Sequence, residues 1–443
     1  MYNPDQILET LERILRLSSA DETEILYHEG EGALTRFAEN RIHQNVSNRA
    51  KQVTIRVYRG KRVGAVTTGK LDESSIQKAL QQALAQTTVQ QDDPDYVPLP
   101  AAQTYAPKPP QFDDHTAVCE PEERAQVVIQ ALERAKAENV VASGIFSTQW
   151  GVTALVNSKG VRAFHSRTDA EFATTMTSVQ DTTGWARDHN SYLAHLDPVT
   201  VTERAIQKAK DGMNGTVLEP GTYTVILEPE AVANLGSFLS WLGLGAQAFL
   251  EGRSFMSGNL GQPVMGENIT IEDNVFHDAF ASPPFDYEGM PKKQVTLIEN
   301  GVAKGVVYDL ITAKRARTQS TGHAMPKPNT FGPFPSNIVI HGGEQTLDEM
   351  IASTERGILV THFHYNRVVH PMKVILTGLT RDGAFLIENG KVTCGIKNMR
   401  YNQSVLEAFR NVEMMSASVP CGTSIICPAM KIHNFNFSAV AGS

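Results

Sequence analysis

A strand that runs directly into an apolar helix, from Tyr223 to Gly258, most constrains how this chain can fold. Val225 and Ile226 are β-branched residues typical of strands, and Pro229 suits a first helical position because its φ is fixed and it has no N–H. Apolar residues then recur every three or four positions and share one helical stripe: Val232, Leu235, Leu239, Leu242, Ala246 and Phe249. The opposite side carries glycines that let neighbouring backbone approach closely: Gly236, Gly243 and Gly245. We therefore predict one central, buried helix that reaches Phe249.

The composition indicates a soluble globular chain and argues against several partners. The chain has 443 residues, 41% of them hydrophobic and 20% charged, which is enough for two domains with their own cores. Its formal charge of −8 does not suit a nucleic-acid partner, because phosphate contact needs a basic face. We also expect no membrane partner, since no stretch approaches ~18 uninterrupted apolar residues and the N-terminus lacks the features of a signal peptide. Four cysteines without a C-x-x-C motif favour a reducing, cytoplasmic location.

The order of periodic segments predicts an α+β fold with two domains. Residues 1–212 mix amphipathic helices with alternating strand patterns, so we predict an N-terminal α/β domain with a mixed or antiparallel sheet. Its last helix is predicted to follow Thr200, with Thr200 as its cap, and to end near Gly212. Residues 213–443 are predicted to form a β-rich domain around the central helix.

Turn residues predict hairpins in the second half of the chain. The pentapeptide Leu-Ile-Glu-Asn-Gly occurs twice, at 297–301 and 386–390, and Asn-Gly is a strong hairpin signal. Arg381, Asp382 and Gly383 are predicted to form another tight turn. The segment from Val374 to Ile396 is therefore predicted to be a three-stranded meander.

Several motifs of this chain resemble the TldD/PmbA family, whose members were once described as modulators of DNA gyrase and are now regarded as zinc-dependent peptidases. The resemblance rests on LEGRSFMSGNLGQ (250–262), the two LIENG segments, LTRDG (379–383), VPCGTS (419–424) and RFAENRIHQNVSN (36–48). Catalytic members of that family carry His-Glu-x-x-x-His just before Leu-Glu-Gly. The matching residues here are Gly243, Leu244 and Ala248, so both histidines and the glutamate are absent.

A zinc site that hydrolyses peptides needs about three protein ligands, an open position for water and a general base. Neither His-Glu-x-x-His nor His-Glu-x-x-x-His occurs in this chain, and no histidine lies between His195 and His277. The family's third ligand, a cysteine, would fall near Val412, where there is no cysteine. The resemblance therefore implies no metal cofactor in this chain, with zinc held by a catalytic partner subunit.

A rebuilt metal site is an alternative that the residues leave open. His362, His364 and His370 are separated by even numbers and would project from one face of a strand, although Pro371 and its surroundings indicate that the strand becomes irregular before His370. Other centres lack support: there is no Gly-x-Ser-x-Gly elbow, no base can be named for Cys421, and no nucleotide-binding glycine motif is present.

The remaining candidates for substrate or partner contact are polar residues in the family-like segments: Glu251, Arg253, His323, Arg367 and Arg381. Arg253 follows the central helix and could hold a carboxylate in a bidentate pair, either that of a peptide terminus or an internal one. Asp382 is explained by its predicted turn.

The resemblance implies a metal-free, TldE/PmbA-like subunit of a cytoplasmic metallopeptidase pair that cleaves unfolded or leader-type peptides. On this hypothesis the chain forms a dimer with a catalytic TldD-like relative, and strand addition recognises the extended peptide. Two alternatives remain. One is an independent metal-dependent hydrolase that uses His362 and His364. The other is a non-enzymatic homodimer that binds a peptide or another ligand.

Overall fold

The N-terminal half of the chain builds one antiparallel sheet of six strands. The structure is a computed structural model that describes residues 3–440. The strands are β1 (Glu22–Ala38), β2 (Arg41–Arg59), β3 (Arg62–Thr68), β4 (Val141–Asn157), β5 (Arg162–Thr177) and β6 (Thr183–Asn190). Their order in the sheet is β3-β2-β1-β4-β5-β6. All neighbours are antiparallel, in agreement with one of the two predicted sheet types.

Helices cover one face of this sheet. They are α1 (Pro4–Arg16), α2 (Glu73–Val89), α3 (Asp114–Ala117), α4 (Pro121–Ala137) and α5 (Pro198–Asp211), with a short 3-10 helix at Leu193–His195. Leu11 of α1 and Ala83 of α2 are buried in one cluster with Val53, Ile55 and Val57 of β2. Side chains at alternate positions of β1, β4 and β5 point to the other face, towards the C-terminal half.

The predicted start of α5 is wrong by a few residues. The helix begins at Pro198, and the side chain of Asp197 caps it by accepting a hydrogen bond from the Thr200 N–H at 3.0 Å. Proline is well tolerated at the first helical position, so the helix begins at Pro198 and Asp197 is its cap instead of Thr200. The predicted end near Gly212 agrees with the structure.

The C-terminal half consists of many strands and a few short helices. Its strands are β7 (Gly221–Leu227), β8 (Ile271–Asp273), β9 (Val295–Glu299), β10 (Val302–Ala303), β11 (Ile338–Ile340), β12 (Arg356–His370), β13 (Ile375–Glu388), β14 (Lys391–Gly395), β15 (Met399–Ser404), β16 (Val412–Met415), β17 (Val419–Cys421), β18 (Ile425–Cys427) and β19 (Met430–Val440). Its helices are α6 (Pro229–Gly243), α7 (Ala246–Leu250), α8 (Leu310–Ala316), α9 (Leu347–Ala352) and α10 (Val405–Arg410). The predicted α+β class with a β-rich second half is confirmed.

These strands form two sheets. One has the order β10-β9-β8-β11-β18-β17. The other has the order β12-β7-β19-β15-β13-β14, with β16 on β19, and β12 also pairs with β13. Five of its strands therefore close into a ring.

α6 packs within the largest hydrophobic core of the molecule, where Val232 and Leu235 are fully buried. Within residues 3–440, no helix is long and apolar enough to cross a membrane.

The central helix is broken, whereas the sequence predicted one continuous helix to Phe249. α6 ends at Gly243 and α7 begins at Ala246, with Gly245 extended between them. The Val307 N–H donates to the Leu244 carbonyl at 3.0 Å, and the Ala246 N–H donates to the Val307 carbonyl at 2.9 Å. The backbone hydrogen bonds that would continue the helix are therefore made with a distant segment of the chain.

The predicted turn at Arg381–Gly383 is also wrong, although both Asn-Gly hairpins are confirmed. β13 passes through these residues without reversing, and β12 pairs along it on both sides of them. Asp382 and Gly383 have φ values of 53° and 128°, and they lie opposite Thr361 alone, which makes the feature a bulge. Val374 to Ile396 thus contains one hairpin, β13–β14, and no three-stranded meander.

Candidate functional site

The position at which catalytic relatives hold zinc is filled by packing in this chain. Gly243 is the last residue of α6, and a Cβ placed on it would lie 2.3 Å from two ring carbons of Phe255. Leu244 is fully buried, and Ala248 lies half-buried in α7. None of these three side chains carries an oxygen, nitrogen or sulfur that could bind a metal.

The residues present do not fit a zinc ion of the kind expected in catalytic members of the resembled family. In the part of the chain that the structure describes, no group of three or more His, Cys, Asp or Glu side chains could hold a metal ion. Val412, which matches the region of the third family ligand, lies in β16 and is buried. We therefore derive no catalytic step through a metal bound to this chain.

Glu251 and Arg253 lie just beyond α7 and bind each other. The Arg253 Nε donates to Glu251 Oε2 at 2.8 Å, and both side chains are largely exposed. Arg253 also lines a cavity of about 180 Å³ beside Ala248, together with Trp241 and Phe334. Arg253 is thus already paired with an internal carboxylate, one of the two possibilities that its position in the sequence left open. A contact of either residue with a substrate stays a prediction.

His362 and His364 lie on β12 as predicted, and the strand register shifts between His364 and Arg367. The His362 Nε2 donates to Asp382 Oδ2 at 3.0 Å, and its ring lies 4.9 Å from that of Trp185. Burial opposes ionisation of Asp382, but the hydrogen bonds from His362 and Thr183 and the neighbouring positive charges together hold the pKa of that carboxyl below its usual range. Metal binding by the two histidines stays a prediction, with no third ligand grouped beside them among residues 3–440.

Arg367 and Arg381 lie on neighbouring strands at the surface. Arg367 is exposed and stacks on Tyr365, with 5.8 Å between its guanidinium carbon and the ring centroid. Arg381 is half-exposed, and its Nε lies 3.6 Å from Asp382 Oδ1. Neither lines one of the cavities described here, so a role in partner contact stays a prediction.

A cleft of about 530 Å³ separates the N-terminal sheet from loops of the C-terminal half. Its floor is the uncovered face of β2, β1, β4 and β5, where residues of neighbouring strands pair directly. These paired residues form three rows that run across the strands. The first row is Gln52, His28, Thr153 and His165, and the second is Ala50, Gly30, Gly151 and Arg167. The third row begins with Asn48, Gly32 and Gln149. The second row lacks bulky side chains until Arg167, so the cleft is deep there.

The opposite wall of the cleft comes from loops between the C-terminal strands. It includes the segments 282–287, 323–325 and 423–424, together with Lys292, Phe334 and Ser336. Phe334 also lines the smaller cavity beside Ala248 and Arg253. The cleft therefore adjoins the region where catalytic relatives carry their metal motif.

His323 belongs to this wall and is fully buried beside Asp273. Its Nε2 donates to Asp273 Oδ1, and its Nδ1 lies near Thr321 Oγ1, each at 2.9 Å. The Thr321 hydroxyl donates to the Tyr308 carbonyl, so it accepts a hydrogen bond from Nδ1. Burial opposes ionisation of Asp273, but the charges of His323 and Lys292 hold the pKa of Asp273 below its ordinary value.

Two imidazoles on the floor stay neutral near pH 7. Burial lowers the pKa of His165 to about 4, although the hydrogen bond of its Nε2 to the Ala281 carbonyl acts in the opposite direction. Burial, and then the charge of Arg167, also lowers the pKa of His28. The guanidinium of Arg167 has no hydrogen-bond or ion-pair partner within residues 3–440, and its Nε lies 3.9 Å from where a Gly151 Cβ would be.

Sequence reasoning found His323 but missed His28, His165, Arg167, Lys292 and Asp286. These residues come from segments far apart in the chain, and none belongs to a short motif. One usable signal was the spacing of His165 and Arg167, which places both on the same face of a strand. The pairing of that strand with Gly30 and Gly151 could not be obtained without the sheet order.

Asp286 should make the stability of the protein depend on pH. Burial, and then the neighbouring Glu288, raises the pKa of Asp286 to about 7. The folded chain then holds a proton that the unfolded chain releases near pH 4, so stability falls as pH rises from 5 to 7. We expect the stability of wild type relative to Asp286→Asn, measured by urea unfolding, to fall by about 2 kcal/mol over this interval.

The control is Asp278→Asn, which alters an exposed carboxylate of a neighbouring loop and should give a difference that does not change with pH. A flat difference for Asp286→Asn as well would mean that Asp286 ionises in the ordinary range.

Comparison with known proteins agrees with the fold and with the motifs. Three family models match: PmbA/TldA metallopeptidase domain 1 at residues 23–87, the central domain at 118–212 and the C-terminal domain at 220–439. The chain belongs to the TldD/PmbA family of metallopeptidase-type proteins. These three matches do not test the predicted division into two domains at residue 212, which stays a prediction.

Similar proteins come from archaea and bacteria. An uncharacterised protein of Methanocaldococcus jannaschii is 24% identical over 408 residues, which is 90% of this chain and 93% of that protein. A metalloprotease TldD homologue of Buchnera aphidicola is 29% identical over 214 residues, which is 47% of this chain but only 42% of that relative. The crystal structure of TldE from Thermococcus kodakarensis superposes with a TM-score of 0.88 at 24% identity, covering 97% of this chain and all of that one.

Proposed function

We propose that this chain is the metal-free, TldE/PmbA-like subunit of a cytoplasmic metallopeptidase pair. In this pair it contributes cavity wall and peptide binding, while a TldD-like partner supplies zinc and the general base. The main support is the segment from Gly243 to Ala248, where side chains without metal donors stand at the motif positions and Phe255 fills the space beside Gly243. Hydrolysis of peptide needs a metal or a base that this segment does not offer.

The cleft supports the peptide-binding part of the proposal. Its floor is formed by strands, its second row is open because of Gly30 and Gly151, and it adjoins the region of the lost metal motif through Phe334. An open glycine row of this kind leaves room for the backbone of an extended peptide to approach the floor closely. The likeness to a protein named TldE concerns the fold and is consistent with the same role.

Co-expression with a His-Glu-x-x-x-His relative tests the pairing. We expect a stable heterodimer that cleaves unfolded peptide, and replacement of the motif glutamate in the partner by glutamine should lower the rate by about 10² to 10⁴. Glu9→Gln, an exposed change on α1 of this chain, is the control and should leave the rate unchanged. If no complex forms and neither protein affects the activity of the other, the proposal fails.

The same preparation distinguishes the two alternatives. Chelator-sensitive peptidase activity in this chain alone, abolished by the double replacement His362→Ala and His364→Ala, would favour an independent hydrolase. A homodimer that copurifies with a ligand and shows no turnover would favour a binding protein.

A further inference from the structure

One end of the cleft carries a positive charge that forms no ion pair within residues 3–440. Arg167 lies on the floor, at the end of the row that contains Ala50, Gly30 and Gly151. In the described part of the chain its guanidinium has neither a hydrogen-bond acceptor nor an ion-pair partner. A guanidinium has five N–H donors in a fixed fork, and one that faces an open cleft without a protein acceptor is available to an anionic ligand.

The surroundings of Arg167 favour a ligand with a single negative charge. His28 and His165 lie in the adjacent row, and burial keeps the pKa of each below its usual value, so both are uncharged near pH 7. Lys292 also lines the cleft, but its Nζ donates to Ser336 Oγ at 2.9 Å and to Asn337 Oδ1 at 3.1 Å, and the carboxylate of Asp273 compensates its charge. Arg167 is therefore the free cation among these groups. One guanidinium fork matches one carboxylate.

The cleft is closed beyond Arg167. Two hydrogen bonds hold the segment from Asp278 to Ser282 against the end of the cleft. The His165 Nε2 on the sheet donates to the Ala281 carbonyl at 2.8 Å. The Gln111 Nε2 donates to the Asp278 carbonyl at 3.1 Å. Gln111 itself forms a parallel bridge with Arg167. An extended peptide that lies along the glycine row cannot continue past this point, so its end meets the guanidinium.

A phenol lies within electrostatic reach of the same position. Tyr287 projects from the opposite wall, and its ring centroid lies 5.7 Å from that of His28. Tyr287 and Arg167 line the same cleft, and the charge of Arg167 opposes the burial that raises the pKa of Tyr287. Its hydroxyl has no hydrogen-bond partner within residues 3–440 and is a second donor for an anion.

We propose that this cleft binds the C-terminal carboxylate of an extended peptide, with the Arg167 guanidinium as the anchor and the Tyr287 hydroxyl as a second donor. Binding at this site fixes the direction of the peptide, since its carboxyl end lies over β5 and the rest of the chain lies over Gly151, Gly30 and Ala50. The inference rests on the proposed function only in taking the ligand to be a peptide.

The test measures the binding of labelled peptides to the purified single chain by fluorescence anisotropy. One unstructured, uncharged hexapeptide is used in three forms: with a free C-terminal acid, with a C-terminal amide, and as an amide that contains one internal glutamate. We expect the free acid to bind at least about tenfold more tightly than either amide, the effect of one charge-assisted pair.

Variants of two arginines on β5 complete the test. Arg167→Gln should remove the preference for the acid, and Arg167→Lys should retain part of it because the charge stays while the fork is lost. Arg162→Gln is the matched control, since Arg162 lies on the opposite face of the strand, where it pairs with Asp5 and Glu12. This control should bind all three peptides as wild type does.

Three results would overturn the inference: no binding of any peptide, equal binding of acid and amide, or a preference that survives in Arg167→Gln. Tight binding of the glutamate-containing amide would instead assign the site to side-chain carboxylates and overturn the terminal assignment. Since no partner subunit is present, failure of the heterodimer experiment leaves this result unaffected. Conversely, a wild-type chain that binds acid and amide peptides equally would overturn this inference and leave the proposed heterodimer unaffected.

Discussion

Replacement of Gly243 by histidine is expected to destabilise the protein by at least about 2 kcal/mol without creating a metal site. A Cβ at this position already lies 2.3 Å from ring carbons of Phe255, which is itself buried in the main core. Overpacking of this kind costs about 1–3 kcal/mol, and a buried imidazole without a partner costs about 1–3 kcal/mol more. Urea unfolding measures the loss, and calorimetric titration with zinc should show no site.

The control for this prediction is Ala248→His in α7. Ala248 is half-buried and lines the cavity of about 180 Å³, so an imidazole there can reach open space and should cost less than about 1 kcal/mol. Gly243→Ala isolates the clash of the Cβ alone. If Gly243→His is as stable as Ala248→His, packing by Phe255 is not what closes the former metal position.

Removal of the Asp273 carboxylate is expected to cost about 3–5 kcal/mol, because it leaves the buried Lys292 charge and the buried His323 ring without the carboxylate that compensates them. Asp273 Oδ1 accepts from the His323 Nε2 at 2.9 Å, and Oδ2 accepts from the Asn337 N–H at 2.8 Å. Both side chains of the His323–Asp273 pair are completely inaccessible to solvent. We expect Asp273→Ala to show this loss in urea unfolding at pH 7.

Two comparisons identify the cause of this loss. Asp5→Ala breaks an exposed ion pair with Arg162 at a similar distance of 3.0 Å and should cost no more than about 1 kcal/mol. The loss should also depend on pH. The pKa of Asp273 is lowered in the folded state, so its contribution is complete above about pH 4 and disappears as pH falls through the lower folded value. A difference between wild type and Asp273→Ala that persists undiminished in acid would contradict an ionised Asp273.

Local features of the chain could be read from the sequence with good accuracy. Pro229 begins α6, the stripe of Val232, Leu235 and Leu239 is buried, and the Asn-Gly hairpins fall at both predicted places. These features depend on contacts between residues that are close along the chain, so their residue types alone are informative. The same holds for the family, whose motifs are short and continuous.

Two local predictions failed because distant segments competed for the same backbone groups. Residues with good helical spacing at 244–246 bond to Val307, and turn residues at 381–383 become a bulge because β12 pairs on both sides of them. Local propensity decides a conformation only when no tertiary partner offers better hydrogen bonds. The central helix was therefore predicted too long, and β13 was predicted to be interrupted.

The sequence by itself determined that this chain lacks the zinc-binding side chains of its catalytic relatives, because the presence of a donor atom is a property of each residue type. Only the tertiary structure decided that Phe255 fills the space beside Gly243 and that the Arg167 guanidinium faces the cleft with no acceptor among residues 3–440. Both depend on which strands and helices become neighbours. Gly30, Gly151 and Arg167 meet only because β1, β4 and β5 pair in one register, and residues so far apart along the chain carry no local sign of that pairing.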